Sequence, residues 1–172
     1  MALPSEKLIT INDRGARAAT TFGSLSAGGG NMVFIKKLTA SADANLTFVD
    51  GASSVVLDST YKEYLFTFNN IHPATDDSKL LVNFRDGGTN YDATKTTTFF
   101  RAQHSEGGAN GNLSYRTDDD LAQSTAAQPL TMDIGNANDE SASGEMILYN
   151  PSSTTFVKHF IANANCVYSG DY

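Results

Sequence analysis

The chain has 172 residues, of which 40% are hydrophobic and 18% charged, and its formal net charge is −7 at pH 7. This length suits one domain that buries a core without disulfides or metals. Phosphate binding depends on Lys and Arg, and only 12 such residues occur, without a cluster, so the composition argues against a nucleic-acid partner. The single cysteine, Cys166, leaves no intrachain disulfide and no site made of cysteine thiolates.

No part of the sequence reaches the roughly 18 consecutive apolar residues of a membrane span. The N-terminal stretch also lacks the apolar run of a signal peptide. We therefore expect a soluble protein that is not conventionally secreted and has no membrane partner.

Residues 1–31 differ from the rest because they are weakly patterned and rich in Ala, Ser, Thr and Gly. They end in Gly28, Gly29 and Gly30, which free the backbone at an entropic cost. We predict a flexible N-terminal arm or linker over residues 1–31 and a folded domain over residues 32–172. The apolar stretch of Leu8, Ile9 and Ile11 could pair as an added strand on a neighbouring subunit, with a disordered tail as the alternative.

From residue 32 onward, short runs of alternating apolar and polar residues are separated by turn signals such as Asp50-Gly51 and Asn150-Pro151. This pattern predicts an all-β protein with about ten strands in an antiparallel, jelly-roll-like β-sandwich. The candidate strands are 32–39, 45–49, 54–57, 61–71, 79–85, 96–104, 113–116, 130–133, 144–149 and 155–167.

Two of these strands have a clear buried face. Tyr64, Phe66 and Phe68 alternate with polar residues in the strand 61–71, and Leu80, Val82 and Phe84 do so in the strand 79–85. In the strand 155–167 both phases carry apolar residues, which predicts a strand that is covered on both faces.

One short helix is predicted over residues 118–128, DDDLAQSTAAQ. Its acidic residues favour the positive end of a helix dipole. Pro129 would end it, because a proline pushes the preceding residue out of the α region.

Enzymatic chemistry has little support in the sequence. His72, His104 and His159 are the histidines available to a catalytic triad, but no G-x-S-x-G motif accompanies them. The glycine clusters match neither nucleotide-binding pattern, and no pair of carboxylates can be singled out for glycoside hydrolysis. We predict that the protein is not an enzyme.

The loop 133–140 is a candidate cation site, because it is dense in the oxygen ligands that calcium prefers. The candidate ligands are Asp133, Asn136, Asn138, Asp139 and Glu140. The alternative is an ordinary hairpin loop, since the spacing does not match an EF-hand. Asp118, Asp119 and Asp120 could also hold a cation, although they more commonly form a solvated helix start. No other cofactor is expected.

Tyrosines in or beside loops could stack on a sugar or anchor a protein contact. They are Tyr91, Tyr115, Tyr168 and Tyr172. Together they fit a binding or assembly surface better than an active site.

Three segments, 58–84, 90–107 and 135–165, carry a resemblance to a known group. The phrase Y-x-E-Y-x-F-x-F-x-N-I-H-P-A-T-D begins at Tyr61, and N-P-S-S-T-T-F-V-K-H-F begins at Asn150. These phrases resemble small β-rich virion structural proteins of tailed bacteriophages, particularly marine and cyanobacterial phages. Tyr149 stands where the group has Phe, and the resemblance covers residues 31–172.

The resemblance implies a non-enzymatic virion component, made in the host cytoplasm and assembled into the particle. A capsid decoration or cement protein, bound to the major capsid protein and to copies of itself as a trimer or another cyclic oligomer, is the first expectation. A tail or fibre-tip module that binds a host-surface glycan or receptor through the loops 86–95, 105–112 and 134–143 is the alternative.

Overall fold

The structure is a computed structural model, and it describes residues 32–109 and 111–167. Residue contacts divide the chain between Phe34 and Ile35, and the unit that begins at Ile35 contains every strand of the described residues. The predicted arm, including Leu8, Ile9 and Ile11, lies outside the described residues.

The described residues form seven strands, all paired antiparallel, and no helix. The all-β prediction is therefore confirmed, although the strands number seven rather than about ten. The strands are β1 (Glu63–Ile71), β2 (Leu81–Val82), β3 (Phe100–His104), β4 (Gly111–Tyr115), β5 (Gln128–Pro129), β6 (Ala142–Tyr149) and β7 (His159–Cys166).

Four strand predictions are wrong. No strand forms within residues 32–39, 45–49 or 54–57 of the described chain. None forms within 130–133 either, because β5 ends just before it, at Pro129. Local turns explain part of this, since Asp50-Gly51 forms a turn in which the Ala52 N–H donates to Val49 O at 3.0 Å and the Asp50 side chain accepts from the Leu57 N–H. Side-chain pattern alone could not supply the missing strand partners.

Strands β1, β6 and β7 form the largest sheet, in that order, so that β6 is central. In register, Tyr64 and Phe160 flank Leu148, while Phe66 and Ala162 flank Met146. The face that carries these residues is buried, as the alternation in 61–71 predicts. Position 144 favours glycine, because a Cβ there would overlap the Asn163 carbonyl oxygen of β7.

The remaining ladders are small. Leu81 of β2 pairs with Pro129 of β5, and β3 pairs with β4 over five positions, from Phe100 opposite Tyr115 to His104 opposite Gly111. Leu80, Val82 and Phe84 are half-buried and Leu81 is exposed, which confirms the face predicted for this segment.

The core lies between the inner face of the largest sheet and the segment that follows β5. Its buried apolar residues are Val55, Tyr64, Leu130, Met132, Ile134, Ala142, Met146 and Leu148. Phe84 packs on Phe160 with ring centroids 5.2 Å apart, which joins the segment after β2 to the inner face of β7.

The predicted helix over 118–128 is wrong. Asp119 is 2% exposed and accepts from Lys79, which lies far from it in sequence. An N–H group that a helix would use internally goes elsewhere, because the Ser124 N–H donates to Lys95 O at 2.9 Å. The Leu121 N–H also donates outside the segment, to Thr97 Oγ1 at 2.9 Å. Tertiary contacts therefore override a weak local preference.

Candidate interaction surface

One face of the three-stranded sheet stays open to solvent, and we call it the outer face. Leu65, Ile147 and Ile161 lie opposite one another on β1, β6 and β7 and form an apolar row across it. Leu65 is 42% and Ile161 61% exposed. The outer face comprises Glu63, Leu65, Thr67, Glu145, Ile147, Tyr149, His159, Ile161 and Asn163.

The prediction that 155–167 is covered on both faces is wrong for the described residues. Phe160, on the inner face, is half-buried, whereas Ile161, on the outer face, is exposed. Phe156 and Val157, in the loop before β7, are 71% and 77% exposed. The apolar residues on the second phase of this segment thus have no cover within the part of the chain described.

Two shallow depressions lie on the outer face, with volumes of about 370 and 450 Å³. Glu145, Ile147 and Ile161 line the first, and Glu145, Asn163 and Asn165 help to line the second. Glu145 is the one carboxylate among the described lining residues, so neither depression supplies the pair that glycoside hydrolysis requires.

The β3–β4 pair exposes a second apolar face, which we call the hairpin face. It is formed by Phe100, Ala102, Leu113 and Tyr115, which alternate along the two strands. Phe100 is 67% and Leu113 75% exposed. The rings of Phe100 and Tyr115 pack edge to face with centroids 5.2 Å apart.

The opposite side of the β3–β4 pair is polar and turns toward the rest of the unit. Arg101, Gln103 and Ser114 are half-buried there. Arg101 lies opposite Ser114, and the Arg101 Nε and Ser114 Oγ atoms are buried without a hydrogen-bond partner among the described residues. The pair therefore presents its apolar side to solvent and its polar side inward, the reverse of the usual arrangement.

A buried cluster, which we call the polar anchor, holds the end of β4. Lys79 Nζ donates to Asp119 Oδ1 at 2.6 Å, and Arg116 Nε donates to Asp119 Oδ2 at 3.4 Å. Burial alone would raise the pKa of Asp119, but the bonds and charges of Lys79 and Arg116 outweigh it and lower that pKa. The hydrogen bond that Lys79 donates to Asp119 in turn raises the pKa of Lys79.

Hydrogen bonds extend the polar anchor to β5 and to the segment before β3. Gln128 is 2% exposed, and its Nε2 donates to the carbonyl oxygens of Asp119 and Pro129, each at 2.9 Å. Its Oε1 accepts from the Thr97 hydroxyl. The anchor is thus continuous from Lys79 to Thr97.

The loop proposed for calcium is closed by its own hydrogen bonds. The Ala137 N–H donates to Glu140 Oε2 at 2.6 Å, and the Glu140 N–H donates to Ala137 O at 3.0 Å. Glu140 is 6% exposed, and its carbonyl oxygen lies 2.7 Å from His72 Nδ1. A Cβ at Gly135 would overlap the Glu140 carboxylate, so a side chain at position 135 would displace that carboxylate.

The other candidate ligands lie in different surroundings. Asp133 Oδ1 is 3.8 Å from Lys79 Nζ, whereas Asn136, Asn138 and Asp139 are exposed. No group of three or more His, Cys, Asp or Glu side chains in the described residues could hold a metal ion. Calcium also takes asparagine and carbonyl oxygens as ligands, so calcium binding stays a prediction.

The three histidines are far from forming one site. His72 bonds the Glu140 carbonyl oxygen, His104 ends β3, and His159 begins β7 on the outer face. Among the predicted tyrosines, Tyr91 and Tyr115 are 39% and 44% exposed, and the Arg85 guanidinium lies 5.8 Å from the Tyr91 ring centre. Tyr168 and Tyr172 lie outside the described residues.

Sequence reasoning missed the hairpin face, although it placed Tyr115 on a binding surface. The alternation of Phe100 and Ala102 with Arg101 and Gln103 is the available signal. That signal marks an apolar face without saying whether the face turns inward.

Comparisons with protein-family models, with curated proteins and with solved structures give no match. In the described residues, no helix is long and apolar enough to cross a membrane.

Proposed function

We propose that this protein is a non-enzymatic structural protein of a phage virion, and specifically a decoration or cement protein on the capsid surface. Its described part is all-β, and the phrases from Tyr61 and Asn150 resemble virion proteins. A jelly-roll-like sandwich belongs to this proposal, with the three-stranded sheet as one of its layers.

The observation that carries the proposal is the hairpin face. Leu113 and Phe100 are at least two-thirds exposed and adjacent on paired strands. Clustered exposed apolar residues mark contact sites, because removing them from water is favourable by about 25 cal/mol per Å². A structural protein that works by contact needs such a face and needs no catalytic group.

The capsid protein is the partner that we assign to the hairpin face. The test is binding of purified protein to phage capsids that lack it, followed by co-sedimentation. Leu113→Glu places a charge on the hairpin face, and we expect at least a tenfold loss of capsid occupancy. Asn112→Glu, on the same strand but on its opposite face, is the matched control and should bind as the parent does.

Residues 1–30 supply a second expected contact. Deleting them should weaken capsid attachment while the domain stays folded, because a tethered second contact raises avidity. Unchanged occupancy in both the truncated protein and Leu113→Glu would contradict the decoration role.

A tail or fibre-tip module that binds a host-surface glycan is the second candidate. The exposed Tyr91 ring beside Arg85 favours it, since aromatic rings stack on sugars and this one stands in the loop 86–95. Binding of the purified protein to host cells, lost in Tyr91→Ala and retained in Leu113→Glu, the variant designed to lose capsid binding, would support this candidate over decoration.

A further inference from the structure

We infer that β7 is a dimerisation edge, along which two copies of this chain pair antiparallel about a two-fold axis and join their three-stranded sheets into one of six strands. Such pairing goes beyond the proposed function, because it holds whether or not the protein binds a capsid.

The two edges of the largest sheet differ in how they resist pairing. Strand β1 has a charged residue at its start, Glu63, and a register shift between Phe68 and Ile71, where Asn70 has a φ of 51°. Charges and bulges of this kind are what proteins use to block edge-to-edge association. The β1 edge is therefore protected.

Strand β7 has none of these devices. Its eight residues, HFIANANC, contain no Lys, Arg, Asp, Glu or Pro, and its pairing with β6 is regular from end to end. Among the described residues β7 pairs with β6 alone. Long, regular, uncharged edges are templates for a further strand.

A two-fold axis at Ile161 gives the best match of side chains. Ile161 then faces Ile161 of the second copy, and the apolar row of Leu65, Ile147 and Ile161 continues across both sheets. In this register residues 159–163 of β7 pair with the same residues of the other copy, and the loop residues Val157 and Lys158 reach Asn165 and Ala164 only if they extend the strand on pairing. With that extension, the exposed residues before β7 cover the end of β7 in the other copy.

Charge favours this edge-to-edge arrangement over packing two outer faces together. Packing the faces would bring Glu63 and Glu145 of both copies into one interface, in a chain with a net charge of −7. In the paired sheet, the two Glu145 residues are three strand spacings apart across the sheet and four residues apart along it, or about 20 Å in all. That separation exceeds the screening length of about 8 Å at physiological salt, so their repulsion is small.

The area predicts a weak dimer. Within β7 the paired strip is residues 159–163, about 17 Å long; when residues 155–158 extend the strand on pairing, the strip from 155 to 167 is about 44 Å long and about 10 Å thick, which gives about 900 Å² for both copies together. Specific interfaces below about 1,200 Å² are those of weak complexes, so we expect dissociation in the micromolar range.

The experiment is sedimentation velocity of the full chain from about 1 to 200 μM. We expect a reversible shift from the monomer mass of 18.4 kDa to twice that mass. Ile161→Lys puts a charge on the two-fold axis and should raise the dissociation constant at least tenfold. Leu65→Lys is the matched control, since it makes the same change in the same row on the protected edge, and should dimerise as the parent does.

A charge-swap mixture tests the register itself. Ile161→Lys and Ile161→Glu should each be monomeric, and an equimolar mixture should recover a heterodimer, because the two side chains face each other only if the axis lies at Ile161. Circular dichroism confirms that the variants are folded, which the 61% exposure of Ile161 leads us to expect.

Three outcomes would overturn the inference. The first is a parent that stays monomeric at 200 μM, and the second is equal loss of association in Ile161→Lys and Leu65→Lys. The third is loss of association on deleting residues 1–30, which would assign the β7 edge to the N-terminal segment of a neighbouring copy. None of these results bears on capsid binding by the hairpin face, so the two proposals fail separately.

Discussion

The three-stranded sheet and the β3–β4 pair bury opposite kinds of side chain. On the sheet, Tyr64 and Met146 are 3% exposed and form part of the core. On the β3–β4 pair the apolar residues Phe100 and Leu113 face solvent, whereas Arg101 and Ser114 turn inward. Both are antiparallel ladders with alternating sequences, so alternation does not decide which side is inside.

The support beneath each ladder decides the difference. The inner face of the sheet is buried together with apolar residues such as Leu130, Met132 and Ile134. The β3–β4 pair is joined to the polar anchor, since the Arg116 N–H donates to Phe99 O at 2.9 Å and the Arg116 side chain bonds Asp119. The polar side of the ladder therefore faces polar residues, and its apolar side faces solvent.

The largest expected effect comes from a substitution that distinguishes the three-stranded sheet from the β3–β4 pair. Met146→Ala removes a buried side chain and leaves a cavity, so it should cost about 3 kcal/mol of the free energy of unfolding. Leu113→Ala, at a side chain that is 75% exposed, should change it by less than about 0.5 kcal/mol. Urea denaturation measures both. Equal losses would mean that the hairpin face is packed within the monomer.

Removing the charge of the polar anchor should have the next largest effect. Asp119→Asn leaves Lys79 and Arg116 without their shared carboxylate, and we expect a loss of about 2 kcal/mol at pH 7, because both cations are partly exposed and can rehydrate. Asp118→Asn makes the same charge change at an exposed neighbour and should cost less than about 0.5 kcal/mol. Unfolding of the two variants under identical conditions is the measurement.

The pH dependence of the same variant has a definite sign. The pKa of Asp119 is lowered from its ordinary value of 3.8, so its contribution to stability is present above pH 3.8 and is lost as the pH falls through the lowered value. The difference between the parent and Asp119→Asn should therefore shrink below about pH 4. A difference that stays constant down to about pH 2 would contradict the role of the ionised carboxylate.

A smaller effect tests how the anchor reaches β3. Thr97→Val removes the hydroxyl that donates to Gln128 and accepts from the Leu121 N–H, and it should cost about 1 kcal/mol, since two buried polar groups lose a partner. Thr98→Val, at the exposed next residue, is the matched control. If both substitutions were neutral, the anchor would end before β3.

The sequence predicts the parts of this fold that depend on local pattern. Alternation in 61–71 identifies β1 and its buried Tyr64, and the turn residues around Asn150 separate β6 from β7. The pattern fails where a distant partner decides the structure. Residues 118–128 contain the helix-favouring run of Asp residues, yet Lys79 and Lys95 draw this segment into extended pairings.

The candidate surface is partly predictable for the same reason. Tyr115 stands out because it lies beside a loop, and the apolar residues on both phases of 155–167 are visible in the sequence. Their exposure is not, because two-sided apolar character normally indicates burial on both sides. The monomer covers only the inner face of β7, where Phe160 packs. We propose that the outer side, at Ile161, is covered by another copy of the chain.

The smallest effect concerns how the hairpin face is held in place. The Tyr115 hydroxyl donates to the Asp120 carboxylate, and this bond raises the pKa of Tyr115 above its ordinary value of 10.0. Asp120→Asn should lower that pKa toward 10.0 while leaving the urea midpoint of unfolding unchanged, because the bond lies at the surface. NMR titration of the Tyr115 ring carbon measures the pKa, and Asp118→Asn should leave it unchanged. Because the bond ties an exposed ring to a residue next to Asp119, the same variant should also weaken the partner contact that we propose for the hairpin face. An unchanged pKa would mean that the ring is not held and that the hairpin face is ordered only when its partner binds.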